Sequence, residues 1–528
     1  MFLIFLAVVS LLTGAAAALF LKTNRNRVAV SLVTHAIACA LILAAAIPVL
    51  LGGNQIAGLV HWSFPVNKID LRLDPLSAFF LIFSVPMTFL GSLYATGYLA
   101  PYLAKKRNAG IHFALLNMVS LSYVIIYLVE NAITFLLGWE MAALSAWLLV
   151  IWDYRNQRVR FAGFNYLVST HVGLLFLIAA FMLLHSSTGS FEFGSFNSVL
   201  GHPGPYRNIT FLLLVTSFAL KSAFFPFHTW LPRAHSAAPA HVSALMSGVI
   251  HKAGLYGILR FTLLLGEPDE WMGWYLIGFS ALSAFMGALY TVTQRDLKRL
   301  LGYSSTENVG IAGIGIGLGY LGIVWKQPLL VAFGITGAVL HILNHALFKC
   351  LLFYAAGCVY RMTNTVDIER LGGLIKKMPG TGAYFLFGGL AMSGVPLLNG
   401  FVSEFLIYNG LLRSWQVSPV YQGLFLTGAA VFSLIGAVSA IAVVRSFGIS
   451  FLGAPRDEGI VCAGDAPNSM RIPMAIHVVG IAVIGLLPAL SLYWVGNVTR
   501  QYLSVMGITD GLSDPMERLS QLFVPLSQ

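Results

Sequence analysis

Apolar residues fill this chain in long runs of about 20 residues, separated by short polar connections, from Met1 to about Val495. A run of this length lets one helix cross the hydrocarbon core of a bilayer. A membrane β-barrel would instead alternate apolar and polar residues over about ten positions. The pattern therefore predicts an all-α, polytopic membrane protein.

We predict about fourteen transmembrane helices. Their ranges are 2–21, 28–52, 75–100, 111–129, 131–151, 162–184, 208–227, 239–265, 271–293, 301–322, 329–360, 380–412, 422–450 and 472–496. The composition supports this prediction, because 58% of the 528 residues are hydrophobic and only 10% are charged. A typical soluble domain is about a quarter charged, so an array of soluble domains is excluded.

The positive charges follow the predicted topology. Alternate connections carry 20 of the 31 lysines and arginines, including Lys105, Lys106 and Lys298, and the opposite connections carry 8, including Arg207 and Arg260. Under the positive-inside rule the richer side is cytoplasmic. We therefore predict a multi-pass protein of the inner (plasma) membrane with both termini outside. The net charge of +11 needs no nucleic-acid partner.

The three remaining lysines, Lys221, Lys252 and Lys349, fall inside apolar spans, as do Glu140 and Glu404. A charge at the centre of a spanning helix costs at least about 2.5 kcal/mol on insertion scales, so such residues usually face a polar interior and serve transport. The alternative for Glu140 is a structural ion pair. For Lys221 the alternative is a side chain that reaches the cytoplasmic edge.

Two predicted spans contain a proline beside a buried charge. Pro226 follows Lys221 in ALKSAFFPFHTW, and Pro396 precedes Glu404 in SGVPLLNGFVSEF. Proline breaks the hydrogen-bond ladder of a helix, and one broken helix in each half is typical of transporters with inverted repeats.

We therefore predict two inverted five-helix repeats, each forming a half-channel. The predicted segments are the N-terminal flanking helices at 1–110, the repeats at 111–265 and 271–450, and the last helix with a short polar tail at 451–528.

His341, His345 and Lys349 recur every four residues in HILNHALFK. This spacing places them on one helical face, about 6 Å apart along the axis. A lone buried histidine is more often a core residue. Three titratable groups on one face instead favour a proton relay, because histidine exchanges protons near neutral pH.

Three further residues are weaker candidates for the relay: His171, His251 and Lys298. The alternative for His171 is a hydrogen bond to a backbone carbonyl. For Lys298 the alternative is a solvated lysine at the start of a helix.

Cofactor chemistry has little support in the sequence. The four cysteines, Cys39, Cys350, Cys358 and Cys462, form no CxxC pair, which disfavours iron–sulfur and zinc sites. There is no Walker-type phosphate loop and no dinucleotide fingerprint. We expect no cofactor and no metal ion bound by this chain.

Taken together, the motifs resemble the proton-translocating, antiporter-like family. The resemblance covers about residues 70–450 and rests on WE at Glu140, KSAFFPFHTWLPRAHSAAPAHVSALMSG from Lys221, QRDLKRLLGYSSTENVGI, the HxxxHxxxK pattern ending at Lys349, and LNGFVSEF around Glu404. This family includes membrane subunits of respiratory complex I, of Mrp-type cation/proton antiporters and of energy-converting hydrogenases. The variants HVSALMSG, LLGYSSTENVGI and LNGFVSEF are most similar to the hydrogenase 4 and formate hydrogenlyase branch.

The resemblance implies a role for each buried charge. Glu140 and Lys221 would be the charge pair of the first half, Lys252 its link to the centre, His341, His345 and Lys349 a central hydrophilic axis, and Glu404 the charge of the second half-channel.

The function implied is proton translocation, or sodium/proton exchange, in a redox-driven complex. The chain would be a non-redox subunit of an oxidoreductase complex, and its partners would be membrane and peripheral subunits of a hydrogenase-like or NADH dehydrogenase-like assembly. One alternative is a stand-alone or Mrp-type sodium/proton antiporter subunit. Another is a membrane scaffold that has lost transport.

Overall fold

The structure is a computed structural model of the whole chain. It describes residues 1–61, 68–104, 107–417, 419–457, 460, 464–505, 507 and 515–523. Lys105 and Lys106, which enter the topology prediction, and Cys462 lie outside these residues.

Helices dominate the described residues. In chain order they are α1 (Phe2–Phe20), α2 (Asn24–Leu50), α3 (Pro75–Tyr98), α4 (Ala100–Ala104), α5 (Gly110–Leu128), α6 (Ala132–Val150), α7 (Gln157–Thr188), α8 (Phe193–Leu200), α9 (Pro205–Ser222), α10 (Trp230–Ala237), α11 (Ala240–Leu245), α12 (Lys252–Leu265), α13 (Glu270–Thr293), α14 (Leu297–Val324), α15 (Pro328–Val331), α16 (Gly337–Thr363), α17 (Pro379–Met392), α18 (Asn399–Val417), α19 (Gln422–Phe451), α20 (Asn468–Leu486), α21 (Pro488–Val505) and α22 (Pro515–Gln521).

Within the described part of the chain, thirteen helical segments are long and apolar enough to cross a membrane. The predicted all-α, multi-pass class is confirmed. Each of these segments overlaps one of the fourteen predicted ranges. The remaining range, 380–412, consists of the two shorter helices α17 and α18. The total number of crossings and the inverted repeats remain predictions.

The chain divides into two compact units. The first comprises Met1–Ser222 and Val249–Glu267, and the second comprises Ala223–Gly248 and Pro268–Gln528. The four predicted segments rest on helix order alone and remain a prediction.

A short antiparallel hairpin precedes α3. Its strands are β1 (Ile56–His61) and β2 (Lys68–Leu73), and Ile56 pairs with Leu73. The sequence analysis did not predict these strands, because six-residue segments are weak signals beside 20-residue apolar runs. The hairpin leads directly into Asp74, whose side chain caps α3 by accepting a hydrogen bond from the Ser77 N–H at 2.9 Å.

Both predicted helix interruptions are confirmed. After α9, Ala223 adopts a φ of 60°, a short 3₁₀ turn covers Phe227–Thr229, and α10 follows. After α17, Gly394 and Leu397 adopt φ values of 64° and 70° before α18 begins. Each interruption leaves helix ends, with their unpaired backbone groups, beside a charged residue.

Two π-helical turns were not predicted. They cover Met246–Ile250, before α12, and Ala332–Thr336, before α16. A π-turn is rare, and it occurs frequently at functional sites. The first turn ends just before His251 and Lys252, and the second ends five residues before His341, so both of them lead into helices that carry candidate relay residues.

Glycine allows α13 and α14 to pack closely in the second unit. A Cβ at Gly287 would lie 2.4 Å from the backbone N of Glu307, and one at Gly310 would lie 2.5 Å from that of Ala284. In lipid, where the hydrophobic effect does not drive helix association, such close backbone contact supplies van der Waals packing. The main chain around Glu307 is therefore held firmly.

The assignment of three cations to solvated connections is wrong, because Arg207, Arg260 and Lys298 are all buried. Arg207 donates a hydrogen bond to the carbonyl of Glu267. Arg260 lies in α12 and forms a paired salt bridge with Asp74, at 2.5 and 2.9 Å. Arg207 and Lys298 were misplaced because α9 and α14 begin before the residues chosen as span starts. Arg260 lies inside the predicted span 239–265 and should not have been counted with a connection.

Candidate functional site

The face predicted on α16 is present, and all three of its residues, His341, His345 and Lys349, are buried. The two imidazole rings lie 6.5 Å apart, centroid to centroid, with 19° between their planes. The Nδ1 of His341 is 3.0 Å from the Oγ of Ser403 in α18. Ser403 is adjacent in sequence to Glu404, so this contact joins the histidines to the helix that bears that carboxylate.

Asn344 holds the same two helices together at the interruption. Its Nδ2 donates to the carbonyl of Asn399 at 2.6 Å and to Ser403 Oγ at 3.0 Å. In return, Asn399 Nδ2 donates to Asn344 Oδ1 at 3.2 Å. The sequence analysis missed this pair, although an asparagine between two relay candidates in an apolar span was an available signal.

Lys349 reaches α14. Its Nζ donates to the Oγ of Ser304 and, at 3.4 Å, to the carbonyl of Leu301, and it lies 3.1 Å from the Sδ of Met392 at the end of α17. These acceptors are neutral, so Lys349 has no direct ion pair in the described structure.

Glu307 is the most important residue that the sequence analysis missed. It lies in α14, three residues after Ser304, with 1% of its surface exposed, and it interacts electrostatically with Lys349. It falls within the predicted span 301–322 and met the criterion that selected Glu140. We quoted it only as part of the motif STENVG.

Glu404 lies in α18 and packs against the interruption between α17 and α18. A Cβ at Gly394 would lie 2.5 Å from the Oε2 of Glu404. The carboxylate therefore rests on bare glycine backbone. Glu404 also interacts electrostatically with Glu307, so Glu307 interacts with both Lys349 and Glu404.

Lys298 is 4% exposed, so it is not the solvated lysine of the alternative hypothesis. Its Nζ donates to the carbonyl of Ala238 at 2.8 Å and lies 5.5 Å from the ring centroid of Tyr360. His235, which the sequence analysis did not single out, interacts electrostatically with both Lys298 and Lys349. It stacks on Phe353 at 4.5 Å.

In the first unit, Glu140 Oε1 lies 3.1 Å from His171 Nε2, and the Glu140 side chain is 27% exposed, so it is less buried than predicted. Lys221 is 2% exposed, so its side chain does not reach the edge. Its Nζ lies 5.0 Å from the ring centroid of Trp139, and no described residue accepts a hydrogen bond from it. Lys221 and Glu140 interact electrostatically without a direct salt bridge.

His251 and Lys252 are completely buried at the junction of the π-turn and α12. The Ser222 Oγ donates to the carbonyl of His251 at 2.9 Å. A Cβ at Gly254 would lie 2.1 Å from that same Oγ, so glycine is required for α12 to approach the end of α9. The helix that carries Lys252 is thus bonded to the end of the helix that carries Lys221.

Taken together, apolar helices interrupted beside charged residues, with lysines, histidines and Glu307 buried among them, define a polytopic helical membrane protein. A family model described as "NADH:quinone oxidoreductase/Mrp antiporter, TM" matches residues 129–433. The chain belongs to this family.

Two curated relatives place the chain more narrowly within the family. It is 38% identical to hydrogenase-4 component B of Escherichia coli (strain K12) over 437 residues, which cover 82% of this chain and 64% of that protein. It is 33% identical to formate hydrogenlyase subunit 3 of the same strain over 457 residues, which cover 85% of this chain and 72% of that protein. The chain therefore spans less than two thirds of the length of hydrogenase-4 component B.

The fold also matches a solved structure. It superimposes on a chain of the Mrp complex from Dietzia sp. DQ12-45-1b with a TM-score of 0.81, covering 96% of this chain and 98% of the other. At 18% sequence identity, this match establishes the shared fold and nothing about the ion that is moved.

Proposed function

We propose that this chain is the proton-translocating membrane subunit of a redox-driven complex of the hydrogenase 4 or formate hydrogenlyase type. The observation that carries the proposal is the buried face of His341, His345 and Lys349, joined through Ser403 to the helix that bears Glu404. Protons would be supplied and removed at the two helix interruptions. Hydrogen or formate oxidation would take place in partner subunits. This chain would lie in the lipid bilayer beside the membrane subunits of the same complex.

Coulomb coupling supplies the proposed mechanism. An opposite charge within a few ångströms favours the ionised form of a side chain, and a like charge disfavours it. When Lys349 loses its proton, the Glu307 carboxylate loses a stabilising cation and then binds a proton more readily. In the first unit, Lys221 and Glu140 would act on each other in the same way. His171 would also interact with the Glu140 carboxylate, which it contacts directly.

The test uses the assembled complex in proteoliposomes, with a pH-sensitive dye reporting protons moved per electron transferred. Glu140→Gln and Lys221→Ala should abolish proton translocation while the complex still assembles. Asp153→Asn is the matched control, because Asp153 is a half-exposed carboxylate whose 3.8 Å ion pair with Arg107 is of the kind that contributes little. Normal translocation by the assembled Glu140 and Lys221 variants would contradict the proposal.

We also propose that both termini face the outside of the inner membrane. Removing the buried Lys298 from the richer side, and Arg207 and Arg260 from the poorer side, leaves 19 cations against 6. The bias that orients the chain is therefore stronger after the correction. Protease accessibility of an epitope added at each end, in sealed inside-out vesicles, tests the orientation.

The matching family model also covers Mrp antiporter subunits, which favours a second function, a sodium/proton antiporter subunit. The buried charges would serve this function equally well. Reconstituting the chain alone, imposing a sodium gradient and recording proton flux separates the two proposals. Flux without partner subunits supports the antiporter, and flux that requires electron transfer supports the redox-driven complex.

A further inference from the structure

Glu307 lies on the face of α14 that receives the ammonium group of Lys349. Lys349 donates to Leu301 and Ser304, and Glu307 follows Ser304 by three residues. Residues three apart lie on the same side of a helix, about 4.5 Å apart along its axis. The carboxylate is therefore the next polar group along α14 from the atoms that bind Lys349.

Glu307 interacts with two charged groups and with one hydrogen-bonding side chain. The residue is 1% exposed, and its Oε2 is buried with no hydrogen-bond partner among the described residues. Its carboxylate meets the hydroxyl of Ser439, and the charged groups that interact with it are Lys349 from α16 and Glu404 from α18. A buried ionised carboxylate is costly unless it is paired, and Lys349 is the cation that favours the ionised form of Glu307.

The backbone of Glu307 is held in place, whereas Glu404 lies beside an interruption. Gly287 of α13 packs directly on the Glu307 backbone, and the continuous helix α14 offers no hinge. Glu404 instead contacts Gly394, where the chain leaves α17 with a positive φ. A firmly positioned carboxylate thus interacts both with a buried lysine and with a carboxylate at a break in a helix.

We propose that Glu307 is a proton-carrying residue that transfers protons between Lys349 and Glu404. This proposal rests on the proposed function. In the first step a proton leaves the Lys349 ammonium group and adds to the Glu307 carboxylate, which leaves a neutral amine and a neutral carboxylic acid. In the second step that proton passes from Glu307 to the Glu404 carboxylate, and Glu307 is ionised again. Lys349 regains a proton from the side of His345 and His341. No electron moves, and the total charge changes only when a proton enters or leaves the unit.

The experiment compares Glu307→Gln, Glu307→Asp and Thr306→Val in the assembled complex, reconstituted into proteoliposomes. Thr306 is the matched control, because it is the adjacent buried residue of α14 and its Oγ1 has no hydrogen-bond partner among the described residues. The readouts are the rate of electron transfer and the number of protons moved per electron. Glu307→Gln should lower protons per electron at least tenfold, Glu307→Asp should recover a substantial part, and Thr306→Val should match the wild type.

A wild-type ratio of protons to electrons in the assembled Glu307→Gln complex would overturn the role of Glu307. The same holds if Glu307→Asp translocates no better than Glu307→Gln while both complexes assemble. If Glu307→Gln does not assemble, the Glu307→Asp variant is the test. An assembled Glu307→Asp complex that moves no protons per electron would contradict proton transfer by a carboxylate at this position. Absence of proton translocation by the wild type would instead contradict the proposed function itself.

Discussion

The Asp74–Arg260 pair of the first unit and the Lys349–Glu307 pair of the second are both buried charges, yet their hydrogen bonding differs. Arg260 donates to both carboxylate oxygens of Asp74, to Ser77 Oγ at 2.7 Å and to Tyr256 OH at 3.0 Å. Lys349 donates to neutral acceptors, and Glu307 keeps a buried oxygen without a partner.

This difference separates two uses of a buried charge. A pair whose donors and acceptors are all satisfied holds helices together, and it loses much when one partner is removed. A buried polar atom left without a partner requires a separate explanation, and a catalytic role is one of the common ones. Burial alone would have grouped Arg260 with Lys349, whereas their hydrogen-bond partners distinguish them.

The largest effect on stability should come from Arg260→Met. This variant leaves the Asp74 carboxylate buried without its cation, and breaking such a pair typically costs about 3–5 kcal/mol. Thermal unfolding of the purified chain in detergent measures the loss. The double variant Asp74→Asn with Arg260→Met should recover part of it. If the Arg260→Met chain is as stable as the wild type, the Asp74–Arg260 pair is not the structural pair that its hydrogen bonds indicate.

Lys349→Met should give the opposite pattern. Proton translocation should fall at least tenfold, because the proposed carrier is gone, and the loss of stability should be smaller than in Arg260→Met. Methionine fills a similar volume without the cost of burying an ammonium group. Both quantities are measured on the same preparation, as protons per electron and as the unfolding midpoint. Destabilisation equal to that of Arg260→Met would make Lys349 a structural charge.

Gly394→Ala should have an intermediate effect. A φ of 64° costs a residue with a Cβ about 1–2 kcal/mol, and the new Cβ would lie 2.5 Å from Glu404 Oε2. We expect the carboxylate to be displaced and proton translocation to fall several-fold. Gly423→Ala is the control, because no atom lies within 4 Å of a Cβ there. Equal translocation by the two variants would show that the position of Glu404 is not critical.

The smallest effect concerns Asp465, a satisfied carboxylate that is partly solvated. Burial alone would raise the pKa of Asp465, but hydrogen bonds from Thr381 Oγ1 and from the N–H groups of Ala466, Gly380 and Thr381 lower it below its ordinary value of 3.8. The stability that Asp465 contributes is therefore fully present above about pH 4 and is lost as the pH falls through the lower folded value.

A pH series of unfolding midpoints for the wild type and Asp465→Asn tests this expectation. The difference between the two chains should be constant above about pH 5 and should shrink below pH 4, where the unfolded carboxyl is already protonated. A difference that does not vary with pH would show that the carboxylate charge contributes nothing at the start of α17.

Much of the fold could be predicted from the sequence. Apolar runs of about 20 residues located the spanning helices, because every backbone group in lipid must be bonded within its own helix. Proline and glycine located both interruptions beside Lys221 and Glu404. The π-turns could not be predicted, because a single extra residue in a turn leaves the apolar pattern unchanged.

The site residues remain predictions, and the sequence could not give all of the contacts among them. Glu140 and Lys221 were expected to form a charge pair; they interact electrostatically, but the direct contact of Glu140 is with His171. Glu307 was passed over within the motif STENVG, and Arg260 was counted as a solvated cation. Each of these errors concerns which groups on different helices meet, which depends on helix rotation and packing.

The sequence by itself determined that this is a helical membrane protein with costly charges inside its apolar spans. Composition and hydrophobic run length follow from the transfer of side chains out of water, and that property belongs to each residue separately. Only the tertiary structure decided which buried charges form a direct salt bridge, as in Asp74–Arg260, and which do not, as in Lys349 and Glu307. Hydrogen bonds and Coulomb interactions depend on distances of a few ångströms between helices, and those distances are set by packing.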